Sequence, residues 1–283
     1  MKSKIVELFA ANTNDVDTNW SALIRQQSCA YLGRKCLKNR KSQPDIAIGT
    51  CTVRYGAGNR EVIICPHRLL EKKKIFLDCI HLLTLHEPGN ELHVVPEVTV
   101  PGGSIDYFLV SARDKKVMDF VGVELQTLDT TGTIWPERQR FLDAQGIPID
   151  SADLGSVKPF GLNWKMTAKT TLVQLHHKVA TLEGLGKHLV LVLQDCLLDY
   201  MQTEFSFSHV AQNARLGDSM HFHVYQLSQR DSTYSIQLSQ RLSTDNEGIA
   251  KCLGLQMPAR LELEKINQLL EKKLSSHTLL SIQ

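Results

Sequence analysis

Alternating apolar and polar positions in the middle of the chain predict a set of β-strands. Residues 91–100 (ELHVVPEVTV), 104–112 (SIDYFLVSA) and 116–128 (KVMDFVGVELQTL) follow the period of two that places successive side chains on opposite faces of a strand. A PGG turn separates the first two segments, and a DKK turn leads into the third. The pattern therefore predicts three consecutive antiparallel strands joined by short turns.

Helical periodicity flanks these strands. Apolar residues recur at helical spacing over residues 69–86, just after Pro66, and again within residues 164–186, where Gly184 and Gly186 end the pattern. Residues 187–195 (KHLVLVLQD) form an apolar run typical of a fully buried strand. The order helix, three strands, helix, strand indicates an α/β (α+β) fold with a mixed central sheet flanked by helices.

The two ends of the chain predict further elements. Residues 1–24 are expected to form a short helical arm, residues 220–227 and 232–239 two more strands, and residues 258–274 a charged helix. We divide the chain into an N-terminal arm and cysteine-rich module at 1–67, a core at 68–200, and strands and helices at 201–283 that complete the same domain.

Composition limits the class of protein. The 283 residues are 42% hydrophobic and 22% charged, which is ordinary for a globular protein with a sizeable core. No apolar run approaches the roughly 18 residues that a membrane span requires. The start of the chain, MKSKIVELFAANTND, lacks the apolar stretch of a signal peptide. We therefore expect a cytoplasmic protein without a membrane partner.

Charge is distributed unevenly along the chain. Residues 25–74 contain twelve Lys or Arg and three acidic residues, a net charge of 12 − 3 = +9, so the other residues carry 2 − 9 = −7. Such asymmetry favours a surface that faces a polyanion, and a simply solvated basic surface is the alternative.

Cysteines cluster in the same part of the chain. Four of the seven, Cys29, Cys36, Cys51 and Cys65, fall within 37 residues that are rich in turn signals. Disulfides are improbable in a reducing compartment. The cluster is therefore interpreted as a set of metal ligands that would stabilise a segment poor in apolar residues, or as buried, inert thiols. The spacing matches no common zinc finger.

Acidic residues mark one edge of the predicted strands. Glu124 and Gln126 share a face of the third strand because they are two residues apart. Antiparallel pairing brings Asp106 of the second strand to the same edge, and Glu97 lies across the PGG turn. Such oxygen ligands suit Mg²⁺, and crowded carboxylates are unfavourable without a cation. Spacing alone is also compatible with ordinary strand-end carboxylates on a solvated face.

The chain resembles a known nuclease family. Asp106 followed by Glu124-x-Gln126 on the next strand resembles the PD-(D/E)xK nuclease core, with Gln126 in the place of the usual lysine. More specific are five blocks: CAYLGRKCLKNRKSQPDIAIGTC, IICPHRLLE, PEVTVPGGSIDYFLV, DFVGVELQTLDTTGT and NWKMTAKTTLVQLHHK. In this order, over about residues 25–200, they resemble the NotI restriction endonuclease family.

The resemblance implies an activity and an active site. Members of that family are homodimeric type II restriction endonucleases that hydrolyse phosphodiester bonds of double-stranded DNA at GC-rich palindromic sites with Mg²⁺. By matching position, Asp106, Glu124 and Gln126 would hold the catalytic Mg²⁺. Glu97 would be an additional catalytic glutamate, a role that Glu91 could also fill.

The resemblance also implies a structural metal. Cys29, Cys36, Cys51 and Cys65 correspond to the ligands of a four-cysteine iron site. A tetrahedral set of four thiolates suits zinc as well, so the identity of this metal, Fe or Zn, stays open.

The motif formed by Asp106, Glu124 and Gln126 contains no positively charged side chain, so a positive charge near the phosphate would come from another residue. Gln126 cannot supply it, so Lys165 or Lys169, at the start of the second predicted helix, could project toward the phosphate. The alternative is that both lysines are merely solvated.

Contacts with DNA are expected from two basic groups. Arg138 and Arg140 follow the active-site strand and are candidates for guanine, because Arg is its usual bidentate partner in the major groove. Lys38, Arg40 and Lys41 of the cysteine module are better suited to phosphates, which fix register without reading bases.

Two other functions are compatible with the sequence. One is a DNA-binding protein of the same fold that has lost catalysis, and the other is a DNA repair nuclease without sequence preference. Digestion of a plasmid separates the second from a restriction enzyme, because discrete bands require sequence specificity.

Overall fold

The structure is a computed structural model that describes residues 3–154, 159–230, 233–255 and 266–272. Its strands are Ile5–Leu8 (β1), Ala11–Asn12 (β2), Ser28–Cys29 (β3), Arg34–Lys35 (β4), Asn39–Arg40 (β5), Gln43–Ala47 (β6), Thr50–Tyr55 (β7), Arg60–Ile63 (β8), Glu91–Val100 (β9), Gly103–Arg113 (β10), Lys116–Gln126 (β11), Thr130–Thr131 (β12), Gly161–Leu162 (β13), His188–Gln194 (β14), Met220–Arg230 (β15) and Thr233–Thr244 (β16). Its α-helices are Trp20–Gln26 (α1), Lys74–Leu77 (α2), Trp135–Ala144 (α3), Trp164–Gly184 (α4), Asp195–Glu204 (α5) and Asn246–Cys252 (α6). Short 3-10 helices cover Pro66–Lys73, Ile80–Leu82 and Ser151–Leu154.

A mixed six-stranded sheet forms the centre of the fold. The strand order is β16-β15-β14-β11-β10-β9. Strands β9, β10 and β11 pair antiparallel, β11, β14 and β15 pair parallel, and β15 pairs antiparallel with β16. The three consecutive antiparallel strands, the long helix and the buried strand predicted from the sequence are confirmed, as is a mixed sheet flanked by helices.

Helix α4 packs closely on one face of this sheet. Leu172, Leu175 and Leu182 of the helix are buried in the larger apolar cluster of the protein. Gly122 of β11 permits the approach, since a Cβ there would lie 2.9 Å from Leu189 and 3.1 Å from Leu182. The helix is thereby held directly over the strands that carry the acidic residues.

The start of the chain is not the predicted helical arm. Strand β1 is buried at every position and pairs with β7 in a four-stranded sheet of order β2-β1-β7-β8. Helix begins only at Trp20, after Asn19 accepts a hydrogen bond from the Ala22 N–H. The segment IVEL is short and apolar, and its pairing with the distant residues 50–55 decides its conformation.

The single helix predicted at 69–86 is broken into short turns. Lys72 and Lys73 have left-handed φ values of 50° and 57°, which interrupt a continuous helix. A tertiary ion pair anchors this stretch, since the fully buried Arg68 bonds to Glu7 of β1 at 2.8 Å. Arg68 also bonds to the nearby Glu71 at 2.7 Å. Apolar spacing predicted the buried face correctly, whereas the buried charges decided the path of the backbone.

The C-terminal third contains the two expected strands, here longer than predicted, in β15 and β16. The predicted charged helix at 258–274 lies partly outside the described residues; residues 266–271 are helical. Within the described parts of the chain, no helix is both long and apolar enough to cross a membrane.

Candidate active site

The three predicted carboxylates occupy one row across neighbouring strands. In the registers of β9, β10 and β11, Asp106 is flanked by Glu97 on one side and Glu124 on the other. The Leu125 N–H donates to Asp106 Oδ2 at 2.8 Å, which ties the Asp106 carboxylate to the edge of β11. Antiparallel pairing thus brings together acids that are up to 27 positions apart, counted from Glu97 to Glu124.

The backbone is distorted at this row. Ile105 and Phe108 both contact the apolar cluster on the α4 side of the sheet, so β10 departs from strict alternation between them, at Asp106. Glu97, opposite, has a left-handed φ of 46°. Backbone held in this region costs on the order of 1 kcal/mol and is concentrated at functional sites.

Glu124 is the most strongly perturbed acid of the row. Its side chain is 13% exposed, and Lys178 Nζ of α4 donates to Glu124 Oε1 at 2.7 Å. Burial raises the pKa of Glu124 to about 7, and the charge of Asp106 adds to the rise while Lys178 opposes it. A carboxylate with a strongly shifted pKa and a specific charged partner is typical of functional sites.

Gln126 lies two residues beyond Glu124 on β11. Its Nε2 donates to the Thr127 carbonyl at 2.7 Å, and its side chain lines a surface cavity of about 350 Å³. Lys38, Cys65 and His67 line the same cavity. The amide is therefore placed between the acidic strands and the cysteine-rich segment.

A groove separates the acidic strands from the cysteine-rich segment. A second cavity, of about 270 Å³, is lined by Glu97 and Asp106 on one side and by Arg34 and His67 on the other. The two cavities share four lining residues, Leu37, Pro66, His67 and Leu125, so they lie next to each other. Acidic residues thus form one wall and basic residues the opposite wall.

Glu91 and Glu97 are the two alternatives for the additional glutamate, and both lie on β9, Glu91 as its first residue and Glu97 nearer the PGG turn. Glu97 borders the groove, whereas Glu91 pairs with Ala112 at the far end of the hairpin. They are six positions apart along the strand, roughly 20 Å at about 3.3 Å per residue.

The four clustered cysteines are all buried and are not joined by disulfides. Cys29 lies in β3 and Cys51 in β7, while Cys36 and Cys65 follow β4 and β8. A hydrogen bond links Cys51 to Cys65, and this bond, with His67 and Lys38 nearby, lowers the pKa of the Cys65 thiol. Burial raises the pKa of Cys36, with contributions from Cys65 and Cys29. Cys36 thus lies within electrostatic reach of Cys29 and Cys65, and Cys65 within reach of Cys51.

No preformed metal cage is present in the described parts of the chain. Among those residues, no group of three or more His, Cys, Asp or Glu side chains is arranged to hold a metal ion. This holds for the acidic row, where Lys178 contacts Glu124, and for the four cysteines.

The proposed DNA-contacting side chains differ in access. Arg138 is 2% exposed; its Nε donates to the Ile48 carbonyl and its guanidinium lies 4.5 Å from the Trp135 ring. Burial lowers the pKa of Arg138 to about 10. Arg140 is half-exposed and pairs with Glu137 at 2.9 Å. Arg140 is thus the more accessible of the two, and base contacts from either stay a prediction.

Basic residues of the cysteine-rich segment face different directions. Lys38 Nζ donates to the Ile64 carbonyl beside the groove. Arg40 pairs with Asp153 at 2.8 Å and also stacks on Trp135. Lys41 is exposed.

The lysine that reaches the acidic row was missed by the sequence analysis. Lys165 and Lys169 are exposed on the first turns of α4, whereas Lys178, further along, contacts Glu124. A signal was available, because Lys178 falls within the apolar stripe of the helix, between Leu175 and Leu182. A lysine in a buried helical row is rare unless it is paired.

Comparison with known proteins supports the resemblance. The sequence model of a family described as Restriction endonuclease NotI matches residues 34–238. The match includes the acidic row, Lys178, three of the four clustered cysteines and most of the central sheet. No curated protein matches the chain.

Proposed function

Because the chain belongs to the NotI restriction endonuclease family, we propose that it is a Mg²⁺-dependent type II restriction endonuclease. It would hydrolyse phosphodiester bonds of double-stranded DNA at a specific, GC-rich palindromic site. Family membership supports site-specific cleavage of DNA. The observation that carries the assignment to this site is the row of Glu97, Asp106 and Glu124 across neighbouring strands, of which Glu97 and Asp106 line a groove with a basic opposite wall.

The donor set of the row fits Mg²⁺. Asp106 and Glu124 offer carboxylate oxygens, Gln126 a side-chain carbonyl, and Glu97 borders the same groove, a set that this hard cation prefers. Glu124 already carries a cationic partner in Lys178, so the site favours positive charge. A bound Mg²⁺ would offset charge on the phosphate and make a nearby water more nucleophilic.

The order of these residues supports a PD-(D/E)xK active site with glutamine in the lysine position. Asp106 is on the second and Glu124 on the third of three antiparallel strands, and α4 then connects to the parallel strand β14. The Leu125 N–H fixes Asp106, while the distorted backbone presents its carboxylate to the groove. The chain itself thus fixes Asp106 at the groove before DNA arrives.

The basic wall fits a phosphate backbone. Arg34 borders the cavity of Glu97 and Asp106, and Lys38 borders that of Gln126. Such contacts position DNA without reading its sequence. Base recognition would come from other side chains, of which Arg140 is the accessible candidate.

The four buried cysteines would hold a structural Fe or Zn ion. Their thiols influence one another electrostatically, none forms a disulfide, and sulfur ligands suit either metal. The ion would brace the short strands β3 to β8, which form the basic wall.

A homodimer follows from the proposed palindromic target. Two copies related by a twofold axis present the same contacts to both half-sites, and each copy would cut one strand. The proposal includes cytoplasmic location, since the enzyme must reach DNA.

The test is digestion of genomic DNA by the purified protein with Mg²⁺, followed by sequencing of the fragment ends. Ends that converge on one palindromic sequence are expected. Random ends would instead identify a nuclease without sequence preference. Protein that binds DNA but produces no ends with Mg²⁺ would identify a DNA-binding protein that has lost catalysis.

A further inference from the structure

Lys178 is a buried lysine with one strong partner. Its side chain is 10% exposed and its Nζ lies 2.7 Å from Glu124 Oε1. Val179 and Leu182, beside it on the helix, are among the most buried residues of the protein. Burial of an ammonium is unfavourable unless a carboxylate compensates it. The helix therefore carries Lys178 at a position where apolar packing alone would select another residue.

Resting on the proposed nuclease function, we infer that Lys178 is a positioning residue of the active site. It supplies from helix α4 the positive charge that Gln126 cannot supply from strand β11, and it acts through the Glu124 carboxylate. Asp106 and Glu124 repel each other across adjacent strands. The ammonium offsets this repulsion and holds one Glu124 oxygen at a fixed place, so the acidic row stays assembled before a divalent cation and DNA bind.

The PGG turn between β9 and β10 fixes the position of this lysine. Thr181 Oγ1 of α4 donates to the Pro101 carbonyl at 2.7 Å, which docks the turn on the helix. A Cβ on Gly102 would lie 2.8 Å from the His177 carbonyl oxygen, and one on Gly103 would lie 3.3 Å from Lys178 Cε. Both glycines have positive φ, 95° and 133°. Backbone conformation thus favours glycine at both positions, and the contact with the backbone of α4 also requires it at Gly102.

The contact between turn and helix couples the position of Glu97 and Asp106 to that of Lys178 and Glu124. The turn joins the strands of Glu97 and Asp106, and its backbone abuts the helix that delivers Lys178 to Glu124. The positions of all three acids therefore depend on this one contact between the turn and the helix. Displacement of that contact would move the ammonium relative to the carboxylates, even though no acidic residue had changed.

The first experiment compares Lys178→Met with Lys178→Arg. Cleavage by Lys178→Met under single-turnover conditions should fall about 100-fold, the order expected when an electrostatic group is lost from an active site. Lys178→Arg keeps the charge and should recover part of the rate. DNA binding without divalent cation should change less than threefold, since the proposed role of Lys178 is exerted on Glu124 and not on DNA.

Lys251→Met is the matched control. Lys251 also pairs with a glutamate at 2.7 Å, Glu247, but on the exposed surface of α6. The Lys251→Met variant should cleave DNA at the wild-type rate. Cleavage by Lys178→Met within threefold of the wild type overturns the inference. So does loss of Mg²⁺ binding together with DNA binding in Lys178→Met and Lys178→Arg alike, because that result indicates a purely structural lysine.

A second measurement does not depend on nuclease activity. Thermal unfolding of Lys178→Met, Glu124→Gln and the double variant forms a double-mutant cycle. If the two side chains act as a pair, the double variant should be no less stable than the more damaged single variant. Additive losses would contradict the pairing. Wild-type protein that leaves DNA intact while the cycle still shows coupling would refute the nuclease function but not the pair.

The turn is tested without touching a charged residue. Gly102→Ala should lower the cleavage rate at least tenfold, because its Cβ meets the backbone of α4. Gly186→Ala is the matched control, since Gly186 also has a positive φ, 63°, but a Cβ there has no neighbour within 4 Å. Equal effects of the two substitutions would show that backbone strain, and not the contact with α4, is responsible.

Discussion

Asp106 and Glu124 lie side by side on adjacent antiparallel strands, and the charge of Asp106 contributes to the raised pKa of Glu124. Their side chains are stabilised by different neighbours. The Leu125 N–H holds Asp106, whereas Lys178 from another element holds Glu124. This difference in support makes the roles of individual residues separable by mutation.

Replacement of Glu124 should abolish cleavage and spare DNA binding. Glu124→Ala removes an oxygen ligand from the proposed Mg²⁺ site, and we expect a rate at least about 1,000-fold lower, with DNA affinity largely retained. Glu124→Gln is measured beside it, because Glu124→Ala leaves Lys178 buried without a counter-charge. Glu247→Ala, on the exposed surface of α6, serves as control. Wild-type cleavage by both Glu124 variants would show that the active site lies elsewhere.

Glu97 and Glu91 can be distinguished by one comparison. Glu97→Ala should lower cleavage at least tenfold, since Glu97 borders the groove opposite Asp106. Glu91→Ala should have less than a twofold effect, because Glu91 lies roughly 20 Å away along the strand. Initial rates on a plasmid with one site are sufficient. The opposite ranking would assign the catalytic role to Glu91.

Replacement of one clustered cysteine should release the proposed structural metal. Cys51→Ser is expected to lose bound Fe or Zn and to lower the melting temperature, because the short strands around it depend on the ion. Metal content by elemental analysis and unfolding by calorimetry are measured on both proteins. Cys252→Ser, at a buried cysteine outside the cluster, should keep the metal. An unchanged melting temperature, with no metal in the wild type or the variant, would eliminate the site.

Mild acid should destabilise the protein through two buried histidines of β15. Burial is the main cause that lowers the pKa of His221 to about 4 and that of His223 to about 3. Both bind protons more readily in the unfolded chain, with a pKa of about 6.5. Their contribution to stability is therefore complete above pH 6.5 and is lost as the pH falls toward 4, by up to about 1.4 kcal/mol per pH unit for each histidine.

The measurement for this prediction is the free energy of unfolding at several pH values between 7.5 and 4.5. His223→Gln should show a weaker dependence on pH than the wild type, whereas substitution of the exposed His93 by Gln should leave the dependence unchanged. Parallel curves for wild type and His223→Gln would mean that His223 does not titrate as expected.

Local patterns in the sequence predicted most strands of the central sheet and the long helix that packs on it. Alternation located β9, β10 and β11, helical spacing located α4, and a continuous apolar run located β14. These elements are specified by which face of each segment is apolar, a property that neighbouring residues carry themselves. The predicted antiparallel order of β10 and β11 also placed Asp106 beside Glu124.

Predictions failed where distant residues decide the conformation. IVEL became a strand because it pairs with residues 50–55, and the segment at 69–86 was broken where Arg68 reaches Glu7 and Glu71. A buried ion pair between remote segments outweighs the small helix preference of each residue, yet leaves no local pattern.

The sequence by itself determined the family, the order of the acidic residues and the strands that carry them, because these depend on motif blocks and short-range periodicity. Only the tertiary structure decided that Glu97 and not Glu91 flanks Asp106, that Arg138 faces the interior, and that Lys178 meets Glu124. Strand register and the packing of a helix over a glycine turn bring residues together through space, and no spacing along the chain encodes the identity of such partners.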